Sequence, residues 1–243
     1  MQHERLINPI ALDFLWEALG AGDLPYPLEV QSYGATVDSR AMLRRRIRED
    51  LVTNQLLDHA GRLEPQLEEW LLALANADLS VDSVFLPETG GEPVLMLAAT
   101  GRGTAVLAVQ QKDGLRLRSI PKDALVSTIV SMLPPAKRGT EISISLPAKE
   151  LAAVGGRGDR ASDVETRKAL ARLTALPRHR GGQIAVNSRT EMRGRRRLPV
   201  LSWFDNDTGR YLTQSRADWV TIAPADAAAL RHRIGEMVRD VTS

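Results

Sequence analysis

The chain has 243 residues, 43% of them hydrophobic and 26% charged, which admits one large domain or two small lobes around a real core. It contains no cysteine, so a disulfide framework, a thiolate metal site and a thiol nucleophile are all excluded, and a reducing cytoplasm fits. Net charge is only +2, yet residues 155 to 197 hold twelve Lys or Arg against four acids and so carry +8, leaving −6 for the rest. A solvated arginine-rich surface explains that stretch; a basic face for an acidic partner is the other reading. The N-terminus lacks a basic-then-apolar leader pattern, and no uninterrupted run of about 18 apolar residues occurs, so a soluble, unexported protein without direct membrane insertion is expected.

Asn8 and Pro9 supply an N-cap and a first helical residue, and Ile10, Ala11, Phe14, Leu15, Ala18 and Leu19 then share one face until Gly20 and Gly22 stop the helix. The stretch Pro25 to Gly34 opens with prolines and alternates Leu28, Val30 and Ser32, which predicts an edge strand. Residues 39 to 59 read as a helix on the spacing Leu43, Ile47, Leu51, closed by Gly61. A third helix starts at Pro65 and buries Leu67, Trp70, Leu71 and Leu74.

From 81 to 120 the period changes to two, punctuated by Gly90-Gly91, Gly101-Arg102-Gly103 and Asp113-Gly114. Connections this short forbid parallel crossovers, so a four-stranded antiparallel meander is expected, with Leu115 and Leu117 facing opposite to Arg116 and Arg118. A helix over 121–133 follows, and Pro134, Pro135 and Gly139 suggest a hinge.

The second half repeats this order: a strand at 141–146, helical segments after Pro147, a glycine-rich loop at 155–158, and a helix opened by a Ser162/Glu165 capping box. Strands near 182–189, 196–204, 210–215 and 218–222 come next, then a helix from Pro224. Leu71 and Leu74 match Leu173 and Leu176, and Ile120 matches Ile222, at a shift of 102. Leu125, Ile129 and Met132 match Leu230, Ile234 and Met237 at 105. The expected fold is therefore α+β: a central antiparallel sheet flanked by helical bundles, in two pseudo-duplicated lobes, 1–136 and 137–243, that share the sheet as one folding unit.

Candidate chemistry is thin. Asp207-Thr208-Gly209 has the triplet of an aspartic protease, but Arg210 follows it and no second copy exists; Asp205-Asn206-Asp207 lacks the glycine and glutamate of a calcium loop. A tight hairpin turn accounts for both. His3, His59, His179 and His232 show no metal-ligand spacing, no G-x-S-x-G elbow occurs, and the 155–158 glycines lack phosphate-loop spacing. Arg178, Arg180 and the run Arg193 to Arg197 could meet phosphates, which keeps a basic nucleic-acid-associated or regulatory module as an alternative; with 4% aromatics, solvated loops serve as well. Trp203 and Trp219 read as strand residues packed in the core, although an exposed one would suit a partner surface.

Six ordered segments resemble the EspG family of ESX (type VII) secretion-associated proteins: 24–34 (LPYPLEVQSYG), 63–75 (LEPQLEEWLLALA), 105–110 (AVLAVQ), 133–135 (LPP), 143–148 (SISLPA) and 201–213 (LSWFDNDTGRYLT). The resemblance implies a cytosolic, non-enzymatic chaperone without cofactor, monomer or homodimer, that binds the helical tip of PE/PPE-like substrates and shields apolar surface before export; nucleic acid is not among its partners. It also implies a recognition surface made of the central sheet, the loop between its second and third strands, and a C-terminal helical bundle. Here that loop is Glu88 to Glu92, short and acidic, and Arg167, Arg172, Arg231 and Arg233 fall on the expected bundle. With Trp203 they complete the candidate partner-binding set.

Overall fold

The computed structural model describes residues 4–149, 164–190 and 194–243. The Gly155–Gly158 loop, Ser162 of the expected capping box and Arg193 lie outside the described residues. The described chain runs β1 (Glu4–Ile7), α1 (Pro9–Leu19), α2 (Val37–Thr53), α3 (Pro65–Ala75), β2 (Leu79–Leu86), β3 (Val94–Gly101), β4 (Thr104–Gln111), β5 (Gly114–Ser119) and α4 (Leu125–Met132). It continues with β6 (Ile144–Pro147), α5 (Val164–Ala175), β7 (Arg180–Thr190), β8 (Gly194–Arg197), β9 (Leu201–Asn206), β10 (Gly209–Arg216), β11 (Trp219–Pro224) and α6 (Ala227–Thr242).

All the described strands join one antiparallel sheet in the order β1-β5-β4-β3-β2-β7-β9-β10-β11-β6, with β8 added to β7. Read outward from the β2–β7 seam, each half places its first strand at the edge, beside its last. The register repeats pair by pair. Leu117 opposite Ala108 has its counterpart in Ile222 opposite Thr213, 105 residues on. Leu79 opposite Thr100 has its counterpart in Arg180 opposite Asp205, the inner strand being shifted by 101. Ile222 thus corresponds to Leu117, not to Ile120 as the sequence match suggested. Met132 and Met237 also differ: the first is 38% exposed and the second buried. On the seam Ser83 pairs with Ile184, and each is the other's counterpart, so the quasi-two-fold axis passes between them.

Strand alternation sends neighbouring side chains to opposite faces, and each face has its own cover. On one face, α1, α2 and α3 bury Leu12, Trp16, Leu67, Trp70 and Leu71 against Leu97, Val106, Leu115 and Leu117. Farther along the same face, α5 packs Ala169, Leu170 and Leu173 on Phe204, Tyr211, Val220 and Ile222. On the other face, α4 and α6 lie together over Val81, Met96, Leu107, Ile184, Val186 and Trp203.

The first helix forms as its sequence dictates: Asn8 Oδ1 accepts from Ala11 N at 2.8 Å, Pro9 fills N1, and Gly20 closes the end at φ 64°. Four sequence expectations are corrected. The 25–34 segment is no strand, because β1 already occupies the edge beside β5 and the segment's backbone is claimed elsewhere. Leu28 N donates to Pro25 O at 3.0 Å, Glu29 N to Gln110 Oε1 at 2.8 Å, and Tyr33 N to Asp13 Oδ2 at 2.9 Å. The helix expected over 39–59 spans Val37–Thr53, started by a Thr36/Ser39 capping box and finished before the turn at Gln55, whose φ is 57°. The strand expected over 196–204 splits into β8 and β9 at Pro199, which has no N–H for a ladder. The final helix starts after Pro224, at Ala227, with Asp226 as its cap.

Arg40 locks the first helical layer. Its guanidinium holds both Asp13 oxygens, at 2.8 and 3.1 Å, donates to Tyr33 O at 2.6 Å, and pairs with Glu17, which Arg44 also reaches. Burial pushes the Asp13 carboxyl up, but Arg40 and the Tyr33 N–H outweigh it and hold the group below its ordinary 3.8; hydrogen bonding to Arg40 lowers Glu17 below 4.5. Folded carboxyls that titrate below their unfolded values stabilise the protein at neutral pH, and that contribution disappears as pH falls through the folded values. Thermal unfolding followed from pH 7 downward should therefore show a loss of stability below about pH 4 that is visibly smaller in Asp13→Asn.

Candidate partner-binding surface

The loop between β2 and β3 spans 87–93 and contains Glu88 and Glu92; β1 takes the place in strand count that the 25–34 segment was assigned. Glu88 and Glu92 are exposed. Gly91 N donates to Glu88 O at 3.1 Å, and Thr89 Oγ1 donates to Arg178 O at 2.9 Å and His179 O at 3.2 Å. A loop from the first half is thereby fastened to the chain entering β7.

Beside it opens a cleft of about 820 Å³ walled by Pro135, Lys137, Arg138, His179, Arg180 and Asp207. Its base is Asp205, 3% exposed, which binds Arg210 through both oxygens at 2.7 and 2.8 Å and Arg180 Nε at 2.8 Å. Arg210 itself is 2% exposed; it donates to Pro134 O at 2.7 Å and lies 4.4 Å from the Trp203 ring centroid. Arg180 reaches Pro135 O at 3.1 Å, and Arg210 N donates to Lys137 O at 2.9 Å. The Pro134–Gly139 segment expected as a hinge is thus pinned to β10, and Gly139 packs so close to the Tyr211 ring that a Cβ there would sit 2.4 Å from it. Asp207 and Thr208 of the Asp207-Thr208-Gly209 triplet form the β9–β10 turn, with Gly209 opening β10 and Asn206 Oδ1 accepting from Thr208 N at 3.0 Å. Acidic loop and basic wall stand side by side at one end of the sheet.

The other candidate residues are dispersed. Arg167 is exposed on α5, and Arg172, on the same helix, forks onto Glu141 at 2.7 and 2.8 Å, holding that carboxyl below its ordinary value. Arg231 is exposed on α6, while Arg233 there binds Gln214 Oε1 at 2.6 Å and Glu236 Oε2 at 2.5 Å. Since α5 and α6 cover opposite faces, the four arginines do not form the single bundle surface expected of them. Trp203 is 2% exposed beneath Arg210 and beside Phe85, so it supports the cleft from below; Trp219 is the exposed indole, at 51%.

Sequence reading passed over Thr89, which no pattern distinguishes from other loop threonines. It also passed over the Asp205–Arg210 pair, which the i, i+5 spacing across a two-residue hairpin turn could have revealed. Arg178 and Arg180, read as solvated, stack on Phe204 at 4.4 Å and pair with Asp205 respectively.

An open charged cleft and an exposed loop thus stand together at one end of a helix-covered antiparallel sheet. The chain belongs to the EspG family, whose model matches residues 8–236. Its fold is similar to that of the Mycobacterium tuberculosis type VII secretion system chaperone EspG5, solved in complex with a PE25–PPE41 dimer. The two superpose with a TM-score of 0.68 at 16% identity, over 98% of this chain and 96% of that one. No curated protein matches the sequence. Among the described residues no helix is long and apolar enough to cross a membrane.

Proposed function

We propose that this protein is a cytoplasmic, non-enzymatic chaperone of type VII secretion that holds the helical tip of a PE/PPE-type client until export. The observation that carries the reading is family membership along nearly the whole chain, residues 8–236. The fold of a chaperone solved with a PE–PPE dimer, spanning 98% of the chain, supports it. The chain is organised as an N-terminal lobe, 1–136, and a C-terminal lobe, 137–243, that share one sheet. Glu88 and Glu92 on the fastened loop supply charged rim contacts next to the Lys137/Arg138 wall, where opposite charges on a client fix register more than affinity. Arg167 and Arg231 are further contacts on the two outer helices; Arg172 and Arg233, already engaged, hold those helices in place, and Trp203 backs the surface from the core.

Co-expression of the affinity-tagged protein with each PE–PPE pair of its own genome should yield a soluble complex with equal amounts of all three chains on size-exclusion chromatography. The double variant Glu88→Lys/Glu92→Lys should weaken capture by about tenfold while leaving the unfolding midpoint unchanged. If the folded protein retains no PE–PPE pair, the reading fails.

A further inference from the structure

At the end of the sheet away from the acidic loop, the β7–β8 ladder sets Arg189 directly opposite Arg195. Like charges facing across a ladder are destabilising, so such a pair is retained at a cost unless an anion joins it. The neighbouring arginines of β8 are occupied. Arg197 forks onto the buried Asp82 at 2.6 and 3.1 Å, and Arg196 donates to Asp240 O at 2.8 Å. Among the described residues, no carboxylate pairs with Arg189 or Arg195.

These two guanidinium groups border a cleft of about 280 Å³ with an apolar floor of Leu74, Ala77 and Leu97. Its wall is the ring of Tyr26, 58% exposed, with the Arg197 guanidinium 4.9 Å from its centroid. We propose that this cleft docks an acidic, partly apolar segment of a partner protein, its carboxylates held by Arg189 and Arg195 and one apolar side chain seated beside Tyr26. Arginine forks match carboxylates in geometry as well as charge. A nucleic acid is the poorer fit, because it wants successive stacking rings or a groove-entering helix, whereas this cleft offers one exposed ring and a small greasy floor. Ser80 at the cleft and Leu86 at the acidic loop are six residues apart along β2, about 20 Å. The site is thus separate from the surface proposed for the secretion client, and both could be filled together.

Fluorescence anisotropy with a labelled peptide of alternating glutamate and leucine, its glutamine counterpart and a labelled single-stranded oligonucleotide tests the assignment. The glutamate peptide should bind saturably, and Arg195→Glu should weaken it by about tenfold or more. The same substitution should keep or raise the unfolding midpoint, since Arg189 then faces an opposite charge. Arg189→Gln should reproduce the loss of affinity without introducing a new one. Unchanged peptide affinity in both variants, equal binding of the glutamine peptide, or tighter binding of the oligonucleotide through the same arginines would each overturn the proposal. Capture of a PE–PPE pair is expected to survive both substitutions, so the two readings fail independently.

Discussion

Replacing Asp205 with alanine is expected to lower unfolding stability by about 3–5 kcal/mol, the cost of leaving a buried charge without its partner. The charge in question is Arg210, only 2% exposed and bound through two nitrogens to Asp205. Arg180 would lose the same partner, but its side chain is 30% exposed and can turn to water. The double variant Asp205→Ala/Arg210→Met should recover much of the loss, because a methionine over Trp203 replaces an ionic contact with an apolar one. Urea unfolding of the wild type and both variants measures the difference. A double variant no more stable than Asp205→Ala would show that the guanidinium, through Pro134 O, holds more than its own ion pair.

Gly182→Val should cost about 3 kcal/mol, at the upper end of what overpacking does, because the seam leaves no room for a side chain. A Cβ at Gly182 would lie 2.5 Å from Phe85 Cβ and 2.6 Å from Val84 O, and the second of these is backbone. The strand β2 would have to retreat along the line where the two halves meet. If the halves fold as one unit, the variant unfolds earlier in a single transition by circular dichroism. Two separated transitions would mean that each half keeps its own core when the seam is loosened, and the shared-sheet organisation would then be incidental to stability.

The meander was legible because its signals are local: turn glycines at short intervals and a period of two leave one topology open. Helix α1 was legible for the same reason, through its cap and proline. The 25–34 segment misled because alternation of Leu28 and Val30 describes an edge strand as well as a wrap whose partners are the side chains of Gln110 and Asp13. Strand β1, four residues with one buried side chain, carries too little pattern to be read. The β2–β3 loop fell at its place in the strand count because the unread β1 and the misread 25–34 segment cancel. The dispersal of the four arginines was not foreseeable, because it depends on which faces α5 and α6 cover, and that is decided by the adjacent pair Trp203 and Phe204 pointing opposite ways.

The pairing of Ser83 with Ile184 carries a consequence for how alike the two halves can be. Wherever a repeated unit meets its own copy, the same position is present twice in one small space. Both residues are fully buried there, so two isoleucines would crowd each other and two serines would leave a void. A perfectly symmetric repeat could not fill that space, and divergence at the axis is a packing requirement. The serine satisfies it by volume alone, at the expense of a hydroxyl oxygen that finds no hydrogen-bond partner among the described residues.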